Sequence, residues 1–162
     1  MNFRKLSALA LAAGLLGFTT QTSNAADPLA HFAGAWTGSG KITVQNGSSE
    51  RIRCRGMYRP AEKGGLGLNL RCASDSYKFE LASDIAYEGG NGNITGSWNE
   101  ASRGIFGTLA GRATVGLVQA TASSVGFNAT LLIRTVGNSQ TVTMRSPGSE
   151  ISEVAITLIR GK

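Results

Sequence analysis

The sequence predicts an all-β fold, a single antiparallel up-and-down β-barrel of about ten strands, and three observations carry that prediction. From Phe32 onward, apolar and polar residues alternate with period two in one stretch after another, the signature of strands with one buried face. Turn signals built on Gly, Asn, Asp and Ser separate these stretches at intervals of about 8–14 residues. Glycines recur inside the strands at Gly34, Gly38, Gly40, Gly56, Gly96, Gly107 and Gly111, several with inward parity, where they permit bends and strong coiling. Closure follows because so long an open sheet, with no helix to cover it, would leave edges prone to pairing with other chains. A β-sandwich is the alternative architecture.

The first segment is read as an address. Arg4 and Lys5 precede an apolar run from Leu6 to Phe18, and a polar segment then leads to the small-x-small site Ser23-Asn24-Ala25, the pattern of a cleaved secretory signal peptide. The run is too short for a lasting membrane anchor, and no later stretch could cross as a helix. Residues 1–25 are therefore expected to be a signal peptide and 26–162 a single β-barrel domain, exported to the periplasm. That leaves 137 residues, a length at which about two-thirds of the surface is buried. The formal charge is +6 for the whole chain and +4 without Arg4 and Lys5. A mildly basic balance favours anionic surroundings and names no partner.

After a short lead containing His31, the first strand alternates Trp36, Gly38, Gly40, Ile42 and Val44 with Thr37, Ser39, Lys41 and Thr43, and Asn46-Gly47 marks its hairpin turn. Next come Arg51 to Tyr58 and Leu66 to Cys72, joined by a turn through Pro60-Ala-Glu-Lys-Gly-Gly65. In a symmetric hairpin Cys54 meets Cys72, both on the apolar face, within reach of a disulfide. An oxidising compartment makes that bond the expectation, and closing the loop stabilises the fold by roughly 3 kcal/mol in the chain-entropy model. A turn near Ser74-Asp75 leads to a strand through Tyr77, Phe79 and Leu81 that continues to Tyr87. The loop Glu88 to Gly92 follows, then Ile94 to Trp98, Ile105 to Gly111, Val115 to Ala122, Phe127 to Arg134, Gln140 to Arg145 and Glu153 to Arg160.

Two resemblances arise from these residues. Phe32-Ala-Gly-Ala-Trp36 on the first strand, with Arg160 on the last, resembles the calycin superfamily of lipocalins, fatty-acid-binding proteins and avidins. In those folds a Gly-x-Trp on the first strand packs at the barrel end, often under a basic residue from the final strand. The resemblance implies that Trp36 and Arg160 close the barrel by a cation–π contact. The wider pattern of Trp36-x-Gly-x-Gly40, Glu50 to Arg55, Arg71 to Tyr77 and Gly96 to Glu100 resembles a group of uncharacterised secreted proteins of alphaproteobacteria, and it implies no function.

Candidate chemistry is sparse. His31 is the only histidine, and no ligand set for haem or zinc accompanies it, so no metal and no cofactor are expected. Gly38-Ser-Gly-Lys41 is too incomplete for a phosphate loop and continues as a strand. The acids Glu62, Asp75, Asp84, Glu88, Glu100 and Glu150 fall near turns, and Glu80 points outward, which leaves no acid–base or nucleophile–base pair. No enzymatic activity is expected.

Binding is the expected role. Tyr58, Leu70, Phe79, Trp98, Phe127 and Met144 are expected to line the interior, where they either leave a cavity able to hold a small apolar molecule or meet and fill the core. On the outside, Lys41, Arg55, Arg71 and Lys78 are expected to form one cationic row across four strands, kept for an anionic envelope lipid unless the register is off by two or the row is an ordinary solvated face. Nucleic acid is not expected, because no exposed aromatics interleave with the charges. The chain is expected to be a monomer. An inhibitor of secreted proteases or lysozymes, acting through exposed loops or the N-terminal lead, is the alternative.

Overall fold

Ten antiparallel strands wind into one closed barrel in a computed structural model that describes residues 27–61 and 64–162. The strands are β1 (Gly34–Val44), β2 (Ser49–Ala61), β3 (Gly65–Ala73), β4 (Lys78–Tyr87), β5 (Asn93–Glu100), β6 (Ile105–Thr114), β7 (Leu117–Ser124), β8 (Phe127–Val136), β9 (Ser139–Arg145) and β10 (Ile151–Arg160). Each pairs with its neighbours in sequence, and β10 returns to pair with β1, so the sheet has no edge and the sandwich alternative is excluded. The expected signal peptide lies outside the described residues.

The period-two alternation in sequence becomes an alternation of burial. Along β2, Ile52, Cys54, Gly56 and Tyr58 are buried while Arg51, Arg53 and Arg55 are exposed. Cys54 stands opposite Cys72 in the β2–β3 ladder, and the two form a disulfide with Cα atoms 4.1 Å apart. The outer surface presents Thr37, Lys41, Arg53, Thr95, Gln119 and Thr121, so the barrel turns its polar residues outward.

The inward glycines set the barrel's curvature. A Cβ at Gly38, Gly40, Gly107 or Gly111 would run into the backbone carbonyl oxygen of Thr157, Ala155, Ser123 or Gln119 on the adjacent strand. Adjacent strands therefore coil more closely than any side chain at these positions would allow.

Most strands extend a residue or more beyond the expected bounds, and at two starts the difference has a clear local cause. Phe32 does not begin a strand: Ala30–Phe32 forms a 3-10 turn, started where the Asp27 carboxylate accepts the Leu29 amide N–H at 2.9 Å, and β1 begins at Gly34. Val115 does not begin β7, because Gly116, at φ 73°, completes the hairpin turn before Leu117.

Candidate functional site

The two ends of the barrel are built differently. At one end, the lead segment folds inward, and Leu29 and Phe32 are 0% and 1% exposed. Trp36 is fully buried there and donates its indole N–H to the Phe32 carbonyl at 2.9 Å. The Arg160 guanidinium lies 4.5 Å from the Trp36 ring centroid and donates to the backbone carbonyls of Ala33 and His31. This is the closure that the calycin resemblance implied.

Tyr58 belongs to this sealed end. Its hydroxyl donates to Gln140 Oε1 at 2.9 Å, and the Gln140 amide in turn donates to Thr135 Oγ1 at 3.0 Å. Burial pushes the Tyr58 phenol well above its ordinary range, and the hydrogen bond to Gln140 only partly opposes that shift. Tyr58, expected to line a ligand space, is thus placed in a hydrogen-bonded plug next to Phe32.

The other end is open. Leu70, Phe79, Leu81, Ile105, Phe127 and Met144 all point inward, yet each is only half-buried, as are Leu131, Ile133, Val142 and Val154 on the same wall. In a filled core such side chains would be as buried as Ile42 and Leu158, both at 0%. Their partial exposure leaves solvent-accessible apolar surface on the inner wall toward this end, beside buried Ile42, Ile52 and Ile151. Of the residues expected to line the interior, Leu70, Phe79, Phe127 and Met144 meet here. Trp98 lies just behind them, its ring 5.5 Å from that of Phe127 and its indole N–H donating to the Thr108 carbonyl.

The β5–β6 turn crosses the rim of the mouth. Glu100 points inward and accepts the amide N–H groups of Glu80, Ser102 and Arg103. Burial raises its carboxyl, but these hydrogen bonds outweigh burial and hold it below the usual carboxylate range. Arg103 is fixed by Glu100 at 3.7 Å and by the Lys78 carbonyl at 3.2 Å, and its guanidinium rests 4.8 Å from the Phe79 ring centroid. A groove of about 620 Å³ runs along this rim past Lys78, Glu80 and Arg103. Sequence reasoning named neither Glu100 nor Arg103 as functional. Glu100 shares parity with Ile94 and Trp98 and was legible as an inward acid, whereas Arg103 lies in a turn, where parity carries no information.

The expected cationic row does not form. Lys41 stands opposite Arg51 instead of Arg55, and Arg71 stands opposite Glu80 instead of Lys78. Lys78 is itself bound to Glu80 at 2.9 Å, and Lys78 together with Arg71 holds the Glu80 carboxyl below its usual range. Two tight turns cause the difference. Gly47 donates to the Val44 carbonyl, and Ser74 donates to the Tyr77 carbonyl, which centre the first hairpin earlier and the third hairpin later in the chain than the expected registers required. The opposed pair Arg55–Arg71 remains.

The remaining candidates are placed as follows. The lead segment is packed into the sealed end, while the loop from Glu88 to Gly92 is largely exposed at that same end. A shallow outer groove of about 370 Å³ crosses β6 to β9 past Gln119, Thr121, Leu132 and Arg145, on the outside of the wall. Among the described residues, no three His, Cys, Asp or Glu side chains gather in a metal-holding arrangement.

No protein-family model and no curated protein sequence matches the chain. Among solved structures it is similar to an S-type phycobiliprotein lyase from Guillardia theta, with a TM-score of 0.58 and 8% identity over 83% of this chain and 90% of that one. At that identity the likeness is one of fold.

Proposed function

We propose that this protein is a non-catalytic binding barrel that takes a small apolar molecule through its open mouth, in the periplasm. The observation that carries this reading is the half-exposure of inward-facing Leu70, Phe79, Phe127, Leu131 and Met144 opposite an end sealed by Phe32, Trp36 and Arg160. An inner wall that is apolar, wetted and closed at its far end gains free energy when an apolar solute displaces its water. The inward polar groups nearby are already engaged: Ser83 donates to the Ser97 carbonyl, and Glu100 caps its own turn. The wall thus selects for apolarity and size. The Cys54–Cys72 disulfide supports an oxidising compartment, and the likeness to a lyase structure supports a barrel of this general build.

The test is fluorescence of the neutral apolar probe N-phenyl-1-naphthylamine, with native mass spectrometry of the purified protein. Wild type is expected to bind the probe at micromolar concentration. Leu131→Trp, which fills the wall, should weaken binding at least about tenfold, the equivalent of roughly 1.4 kcal/mol. Tyr58→Phe, in the sealed end, should leave binding unchanged. No probe binding by wild type, with no co-purified small molecule, would overturn the reading.

A further inference from the structure

The outer face of β2 carries a second feature, unrelated to the lumen. Arg51, Arg53, Arg55 and Arg59 occupy outward positions at every second residue or its multiple, and all four are exposed. Across the ladders, Lys41 faces Arg51 from β1 and Arg71 faces Arg55 from β3. Outward neighbours on one strand lie about 6.8 Å apart, and directly opposed residues about 5 Å apart. Six cations therefore share a strip three strands wide.

The described residues supply little countercharge. The ion pairs among the described residues are Lys78–Glu80, Arg103–Glu100 and Arg145–Glu153, and none includes any of the six. Of the acids bordering the strip, Asp75 is exposed in the β3–β4 turn at the rim, and the others are engaged or set to one side. Glu80, opposite Arg71, is bound to Lys78. Glu50 accepts the Ser76 amide at the rim, and Asp84 sits one strand beyond Gly67, the partner of Arg59. Arg51 has only a 3.4 Å contact with the Ser39 hydroxyl. Opposed like charges destabilise a sheet, so such a strip is unfavourable until anions from outside meet it.

We infer that this strip docks the barrel onto an anionic phospholipid surface, its arginines pairing with lipid phosphates. A guanidinium fork matches phosphate geometry, and lipids that diffuse within a bilayer can adjust to the spacing of side chains fixed on a strand. The flanking outward residues, Thr37, Ser39, Thr43, Met57, Asn69 and Ala73, include no aromatic on which bases could stack, which disfavours single-stranded nucleic acid. The strip is on the barrel's side and leaves the mouth clear.

The experiment is co-sedimentation of the full protein with phosphatidylglycerol-containing vesicles and with purely phosphatidylcholine vesicles, at low and physiological ionic strength. Wild type should bind the anionic vesicles alone and lose affinity with salt. Each basic residue at a membrane surface is worth about fivefold in affinity, so Arg53→Glu/Arg55→Glu should lose at least about tenfold. Arg112→Glu/Arg134→Glu, the same charge change on β6 and β8, should lose no more than about twofold. If the first variant fails to fold, Arg53→Gln/Arg55→Gln should show a loss in the same direction. Equal losses in both variant pairs, absence of wild-type binding at low salt, or tighter binding to a single-stranded oligonucleotide than to vesicles would each overturn the proposal.

Discussion

The Arg160 guanidinium, 4.5 Å from the centroid of the Trp36 ring, ties the last strand of the barrel to the first while donating to two carbonyls of the lead segment. Three elements meet at one side chain. The stack and the charged hydrogen bonds each contribute about 1 kcal/mol or more, and truncation leaves the carbonyls of Ala33 and His31 without this donor.

Arg160→Ala should therefore lower stability by roughly 2–4 kcal/mol, measured by denaturant unfolding. Arg160→Lys should recover only part of the loss, because an ammonium cannot both lie flat on the indole and reach two carbonyls. A full rescue by lysine would show that charge alone matters at this site.

The disulfide offers a second test. Native protein should carry no titratable thiol, and replacing both Cys54 and Cys72 by alanine should cost about 2–5 kcal/mol, the usual cost in a small secreted domain. Two reactive thiols in protein prepared under oxidising conditions would contradict the bond.

At Gly111 the close approach of β6 to β7 predicts that any side chain is disruptive, since a Cβ meets the Gln119 carbonyl oxygen and the Cα of Ala120. Gly111→Val should cost at least about 2 kcal/mol through forced strand separation. Gly104→Ala, at a turn with open space but φ 66°, should cost less, about 1 kcal/mol. Thermal denaturation of the two variants tests the ranking.

Glu100 predicts a pH dependence. Its folded carboxyl titrates below its ordinary value, so it contributes stability above the unfolded pKa of about 4.3. That contribution fades as pH falls through the folded value. Glu50, held low first by the Ser74 hydroxyl, and Glu80, held low by Lys78, act in the same direction. The comparison of wild type with Glu100→Gln isolates one site. The variant should be less stable at pH 7, and the gap should narrow below about pH 4. A gap independent of pH would mean that Glu100 acts only by its shape.

Much of the architecture was legible in the residues. Period-two alternation gave each strand a face, and face is decided locally because successive side chains point to opposite sides. This is why the pairing of Cys54 with Cys72 and the inward faces of Leu70, Phe79, Phe127 and Met144 were legible in the residues, whereas the meeting of Trp36 with Arg160 was implied by the calycin resemblance. Parity does not give height along the barrel, which depends on how many residues each turn consumes. The Asn46-Gly47 and Asp75-Ser76 turns set Lys41 against Arg51 and Arg71 against Glu80, which removed the expected row and left a column of arginines on β2. Tertiary structure likewise decided which end is open. Leu29 and Phe32 fold back as a plug through a turn only three residues long, and the hydrogen bond from Tyr58 to Gln140 joins residues 82 positions apart, beyond any local pattern.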